Sequence, residues 1–112
     1  MADERRSGKR EEAVIVVQFD DMGSYGVTRD MSDKGLLIAT RHAFATGDLI
    51  DVTVLAPSGQ VDRIGRVVRV ERTPPTEEWP FRVAVELDEP LPSAAITDGL
   101  KVAANLRPAK KG

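Results

Sequence analysis

Short β-branched runs, each stopped by a cluster of Gly, Pro, Asp or Ser, follow one another closely from residue 13 to residue 87, and this pattern restricts the chain to an all-β design. Residues 13–19 (Ala-Val-Ile-Val-Val-Gln-Phe) read as one strand, ended by Asp20-Asp21-Met22-Gly23. Residues 24–29 read as a second, with Tyr25, Val27 and Arg29 on one side of the pleat and Gly26, Thr28 and Asp30 on the other. Residues 36–40 form a third. Residues 49–55 form a fourth, in which Ile50, Val52 and Val54 alternate with Asp51 and Thr53. Pro57-Ser58-Gly59 is a turn signal that folds residues 60–72 back as a hairpin. In that fifth strand Ile64, Val68 and Val70 share one parity and Val67 takes the other, which places a bulge at Gly65. After the Pro74-Pro75 loop, Phe81, Val83, Val85 and Leu87 alternate with Arg82, Ala84 and Glu86 in the sixth. Six short strands with tight turns predict a small antiparallel β-barrel, because closure removes exposed sheet edges.

At 112 residues the chain holds one modest core. Residues 1–12 are polar and charged and read as a flexible arm, residues 13–107 as the barrel domain, and residues 108–112 as a disordered basic tail. Ser93 or Thr97 can cap a short C-terminal helix running to Leu106, which Gly99 weakens and Pro108 ends. Nothing in the apolar pattern is long enough to span a bilayer, and the charged start does not read as a secretory signal. The absence of cysteine fits a reducing cytoplasm.

Inventory argues against catalysis. His42 is the sole histidine and reads as a plain loop residue, while Ser32 lies in no nucleophile elbow. Without cysteine and with one histidine, no metal site or cofactor is expected, and neither a Walker A loop nor a G-x-G-x-x-G is present. A net charge of −2 disfavours broad affinity for DNA or RNA, which depends on neutralising many phosphates together. An anionic ligand has to be met locally.

Two motifs supply local chemistry. In Arg6-Ser7-Gly8-Lys9-Arg10 the two arginines are four residues apart, on one face of the segment whether it is helical or extended, roughly 6 Å apart in the first case and about 13 Å in the second. A guanidinium stays charged, pairs bidentately with phosphate or with the O6 and N7 acceptors of guanine, and stacks on bases. In Asp30-Met31-Ser32-Asp33-Lys34-Gly35 the carboxylate and hydroxyl of Asp30 and Ser32 fall on the same side of an extended backbone. The carboxylate suits the donor-rich N1 and N2 edge of guanine, and Gly35 allows positive φ and close backbone approach. Each motif has a plainer explanation, a solvated basic tail for the first and a local Asx or Ser turn for the second.

Together, in this order around a strand, the motifs resemble the signature of the PilZ domain, R-x-x-x-R followed by D/N-x-S-x-x-G, complete here as Arg6, Arg10, Asp30, Ser32 and Gly35. The resemblance implies a six-stranded antiparallel barrel with a C-terminal helix that binds the bacterial second messenger cyclic di-GMP. Arg6 and Arg10 would hold phosphates and guanine edges, Asp30 and Ser32 a guanine, and Gly35 would shape the turn. Family members with an arginine just before the first motif tend to take an intercalated dimer of the nucleotide, and Arg5 occupies that place. The implied function is a cyclic di-GMP receptor and adaptor whose arm orders over the nucleotide and relays the signal to a protein effector. Two alternatives differ in class: a nucleotide-independent protein-interaction module of the same barrel, and a barrel binding RNA or single-stranded DNA, for which few aromatic side chains are present. Trp79 is open to two roles, a partner contact beside the Pro74-Pro75 loop or a plug in one barrel end.

Overall fold

The computed structural model describes residues 11–19 and 24–106. Their elements in chain order are β1 (Glu11–Glu12), β2 (Val16–Phe19), β3 (Ser24–Met31), β4 (Gly35–Thr40), β5 (Leu49–Ala56), β6 (Gly59–Arg72), β7 (Phe81–Leu87) and α1 (Ser93–Leu106). All pairings are antiparallel, in the order β3-β2-β5-β6-β7-β4, and β4 pairs back onto β3 to close a six-stranded barrel. Closure satisfies both edges of every barrel strand, as the run of short strands predicted. β5 alternates as expected, and β7 puts Val83, Val85 and Leu87 inside as expected but buries Ala84 as well. Ile50, Val52 and Val54 meet Val83, Val85 and Leu87 in one core with Val17, Phe19 and Ile38.

The first strand departs from expectation. Instead of one run over residues 13–19, the chain pairs with β3 at Glu11–Glu12, leaves the ladder for three residues, and rejoins it at Val16. Thr28, fully buried, bridges the gap: its Oγ1 accepts from Ile15 N at 2.8 Å and donates to the Ala13 carbonyl at 2.6 Å. One side chain thus replaces the missing backbone partners, as burial demands. α1 sits on this joint. Val14 N donates to the Gly99 carbonyl at 3.0 Å, and the helix presents Ala95, Gly99 and Ala103 inward at a spacing of four.

Gly99, which weakens the helix by propensity, is what lets it dock. A Cβ there would lie 2.9 Å from the Ala13 Cβ and 2.9 Å from the Met31 Sδ. Next to it, Asp98 accepts from Ser58 N at 2.8 Å and ties the helix to the β5–β6 hairpin. The side-chain hydrogen bond from Ser58, with the backbone one, holds the Asp98 carboxyl below the ordinary carboxylate range.

Two bulges reset side-chain parity. In β6 the extra residue against β7 is Val68, between Val67↔Val85 and Arg69↔Ala84, and not Gly65. Before the bulge Val67 faces the core at 0% exposure, in step with Gly65, and Ile64 at 49% faces out; after it Val70 packs on the core while Val68, at 40%, stays out, so the residues that share a parity in sequence part company. Gly65 faces inward beneath Val85, where a Cβ would come within 2.3 Å of the Val85 Cγ1. The second bulge, in β3, bears on function.

Candidate functional site

β3 pairs with β4 as Thr28↔Ile38 and then Asp30↔Leu37, so Arg29 is the extra residue. Gly26 and Thr28 face the core, and strict alternation would send Asp30 there too. The bulge turns the strand by one position: Met31 becomes the buried residue, opposite Leu36, and Asp30 moves to the outer face, half-exposed. Burial of a carboxylate is avoided and the group is delivered to the surface. The apolar Met31 in an otherwise polar stretch is the sequence signal for that change of parity.

Asp30 lies at the meeting point of three strands. Leu37 of β4 flanks it on one side and Glu12 of β1 on the other. Cross-strand partners share a face, so two carboxylates stand together here, and like charges at this spacing raise the local demand for cations. The residue before β1 is Arg10, one peptide unit from Glu11.

Ser32 and Gly35 close the β3–β4 turn. Ser32 is 7% exposed; its backbone N donates to the Gly35 carbonyl at 2.9 Å and its Oγ lies 3.4 Å from the same oxygen. The hydroxyl therefore serves the turn, in the manner of a local Ser turn, and does not share a face of extended backbone with Asp30. Gly35 opens β4 opposite Glu86, and the described glycines with positive φ are Gly47 and Gly59, so the positive φ that Gly35 allows is not used here. Outside the turn, the Lys34 carbonyl accepts from Leu87 N at 2.8 Å and the Asp33 carbonyl from Leu91 N at 2.7 Å, which pins the turn to the segment before α1.

Arg5, Arg6 and Arg10 lie outside the described residues, as do most of the expected arm and the basic tail. Of the arm as read from sequence, Glu11 and Glu12 belong to the sheet. Among the described residues no group of three His, Asp or Glu is placed to hold a metal ion, and no helix is long and apolar enough to cross a membrane.

Sequence patterning gives no sign of how the opposite end of β3 is built. Tyr25 is 54% exposed on the outer face, its ring edge-on to Trp79 with centroids 5.9 Å apart, and the Arg41 guanidinium stands 5.4 Å from the Trp79 ring centroid. Trp79 is not a plug. Phe44, from the connection after β4, enters the core instead and packs edge-on to Phe19 at 4.9 Å.

Comparison with known proteins agrees with this geometry. No curated protein matches the chain. Among solved structures it is similar to the Bacillus subtilis inhibitor of motility MotI/DgrA, with a TM-score of 0.69 at 19% identity over 92% of this chain. The match covers 53% of that protein, so the chain spans about half its length and the likeness is one of fold. The model of the PilZ domain matches residues 4–98, an interval that takes in both arginine and aspartate motifs and every barrel strand. With the closed barrel, the motif order and this match in agreement, the chain belongs to the PilZ domain family.

Proposed function

We propose that this protein is a non-catalytic receptor for cyclic di-GMP in the bacterial cytoplasm, acting as an adaptor toward a protein effector. One observation carries the proposal. β1 brings Glu11 and Glu12, which directly follow Arg10 in the sequence, alongside Met31 and Asp30, and this pairing supports a shared site for two motifs separated by twenty residues of sequence.

The chemistry divides between them. Asp30, turned outward by the bulge at Arg29, accepts from the N1 and N2 donors of a guanine, and the compact Ser32–Gly35 turn lets backbone approach it. Arg6 and Arg10 neutralise the phosphates and address the O6 and N7 edges. Arg5 adds a third guanidinium for an intercalated second nucleotide. Ordering of residues 1–10 over the ligand is the output, a new surface composed of arm, nucleotide and barrel.

Calorimetry with the full chain tests this. Wild type is expected to bind cyclic di-GMP with two nucleotides per chain, and Arg5→Ala to reduce that to one. Arg6→Ala and Arg10→Ala should each lose on the order of 2–5 kcal/mol, the cost of breaking a desolvated charge contact. Unchanged binding in both variants overturns the clamp. A folded wild type that binds no nucleotide yet recovers a partner would favour the interaction module that works without nucleotide.

A further inference from the structure

We propose that the ridge formed by Tyr25, Arg41 and Trp79, with Arg72 behind it, is a docking surface for an acidic segment of a partner protein. The inference stands independently of nucleotide binding, since it uses none of the residues assigned to the nucleotide.

The ridge is built in advance. Thr73 N donates to the Pro80 carbonyl at 2.9 Å, Thr73 Oγ1 donates to the Trp79 carbonyl, and Glu77 N donates to the Pro74 carbonyl at 2.9 Å. With Pro74, Pro75 and Pro80 restricting φ, the loop that carries Trp79 loses little freedom on binding. On the other side, Thr40 Oγ1 donates to the Tyr25 carbonyl at 3.2 Å and accepts from His42 N at 3.1 Å, fixing the backbone on both sides of Arg41. Trp, Tyr and Arg are the residue types that dominate binding energy at protein interfaces, and here they stand together, Tyr25 and Arg41 exposed and Trp79 half-buried against them.

Charge selects the partner. Two guanidinium groups stand over rings in cation–π contact, Arg41 over Trp79 at 5.4 Å from the centroid and Arg72 over Phe81 at 5.2 Å. A cation–π contact leaves the N–H donors of a guanidinium able to take a carboxylate. Neither arginine has a carboxylate within ion-pair distance among the described residues, whereas Arg69 is paired with Glu71 and Arg82 with Glu77. Glu78 is the remaining acid of the loop, so two uncommitted cations face one uncommitted anion. A segment that carries carboxylates beside an apolar side chain matches these cations and the Tyr25–Trp79 surface. A nucleic acid also offers anions, so an oligonucleotide serves as the competing ligand.

Trp79 is the single tryptophan, so its emission reports on this surface alone. The full chain is titrated with a fluorescently labelled peptide of four Glu-Glu-Leu repeats, with the Lys-Lys-Leu counterpart and an oligothymidylate as controls, following Trp79 emission and peptide anisotropy. The acidic peptide is expected to bind saturably and to weaken with salt. Arg41→Gln and Arg72→Gln, both exposed and outside the core, should keep their thermal midpoint and each bind roughly tenfold more weakly, the size of one charge-assisted hydrogen bond. No saturable change with the acidic peptide overturns the proposal, as does equal binding of the basic peptide or tighter binding of the oligonucleotide. Concentration-dependent self-association abolished by Trp79→Ala would assign the ridge to a second copy of the chain and overturn it equally.

Discussion

The two ends of β3 solve different problems. At the Asp30 end the barrel supplies an acceptor and a turn pinned to its neighbours, and the proposed nucleotide site takes its arginines from the sequence before β1. At the Tyr25 end, five residues and about 16 Å away along the strand, every group comes from the barrel's own strands and loops and is held by its own hydrogen bonds. A site completed by a tethered arm is suited to switching, because its affinity depends on ordering that arm; a site completed by the barrel is suited to constant presentation. The distance between them is what would let one molecule hold the proposed nucleotide and the proposed partner together.

The largest expected effect breaks the Asp30 end. Asp30→Ala should abolish cyclic di-GMP binding in calorimetry while leaving peptide binding at the Trp79 ridge unchanged, because Asp30 is a surface group and contributes nothing to the core. Loss of both would show that the two ends are one unit.

Next come changes to the frame that carries both ends. Thr28→Val keeps the shape but leaves Ile15 N and the Ala13 carbonyl without their partner in a fully buried place, and should cost about 1–3 kcal/mol in chemical denaturation. Nucleotide affinity should fall with it, since the joint positions β1, and the ridge should be spared. Gly99→Ala sets two effects against each other. Helix propensity favours alanine by up to about 1 kcal/mol, while overpacking a tight core contact costs about 1–3 kcal/mol. Ala13 is held by hydrogen bonds at its N and its carbonyl and cannot retreat easily, so the contact wins and the thermal midpoint should drop.

The smallest effect concerns Asp98. Its carboxyl is held below the ordinary value in the folded state, so its contribution is present above the unfolded pKa of about 3.8 and is lost as pH falls through the lower, folded value. Asp98→Asn should therefore be slightly less stable than wild type near neutrality, the difference closing below about pH 4 in thermal melts; a constant difference would show that Ser58 does not sense the charge.

Strict alternation makes a strand legible in the sequence: β5 and β7 put Val52, Val54, Val83 and Val85 inside as their spacing requires. Where one residue is inserted, alternation misleads. Val68 separates Val70, packed on the core, from Ile64 on the outer face, and Arg29 turns Asp30 outward, because a bulge depends on how two paired strands share register and leaves little mark on one strand alone. The motif residues are legible as a set. Their division of labour is not: Ser32 is engaged with Gly35, and Gly35 is extended.

Turn chemistry, β-branched runs and the two spaced motifs are enough, from sequence alone, for an all-β barrel and for the residue types of the nucleotide site, because these follow from local backbone preference and side-chain chemistry. Tertiary structure decides which face each group takes. Asp30 reaches the surface through a bulge against β4, Gly99 exchanges helix propensity for contact with Ala13, and Trp79 meets Tyr25 and Arg41 only when loops distant in sequence close on the same end of the barrel. Each of these outcomes depends on a partner strand, a packed neighbour or a converging loop, and pairing across the chain is the one interaction a local pattern does not encode.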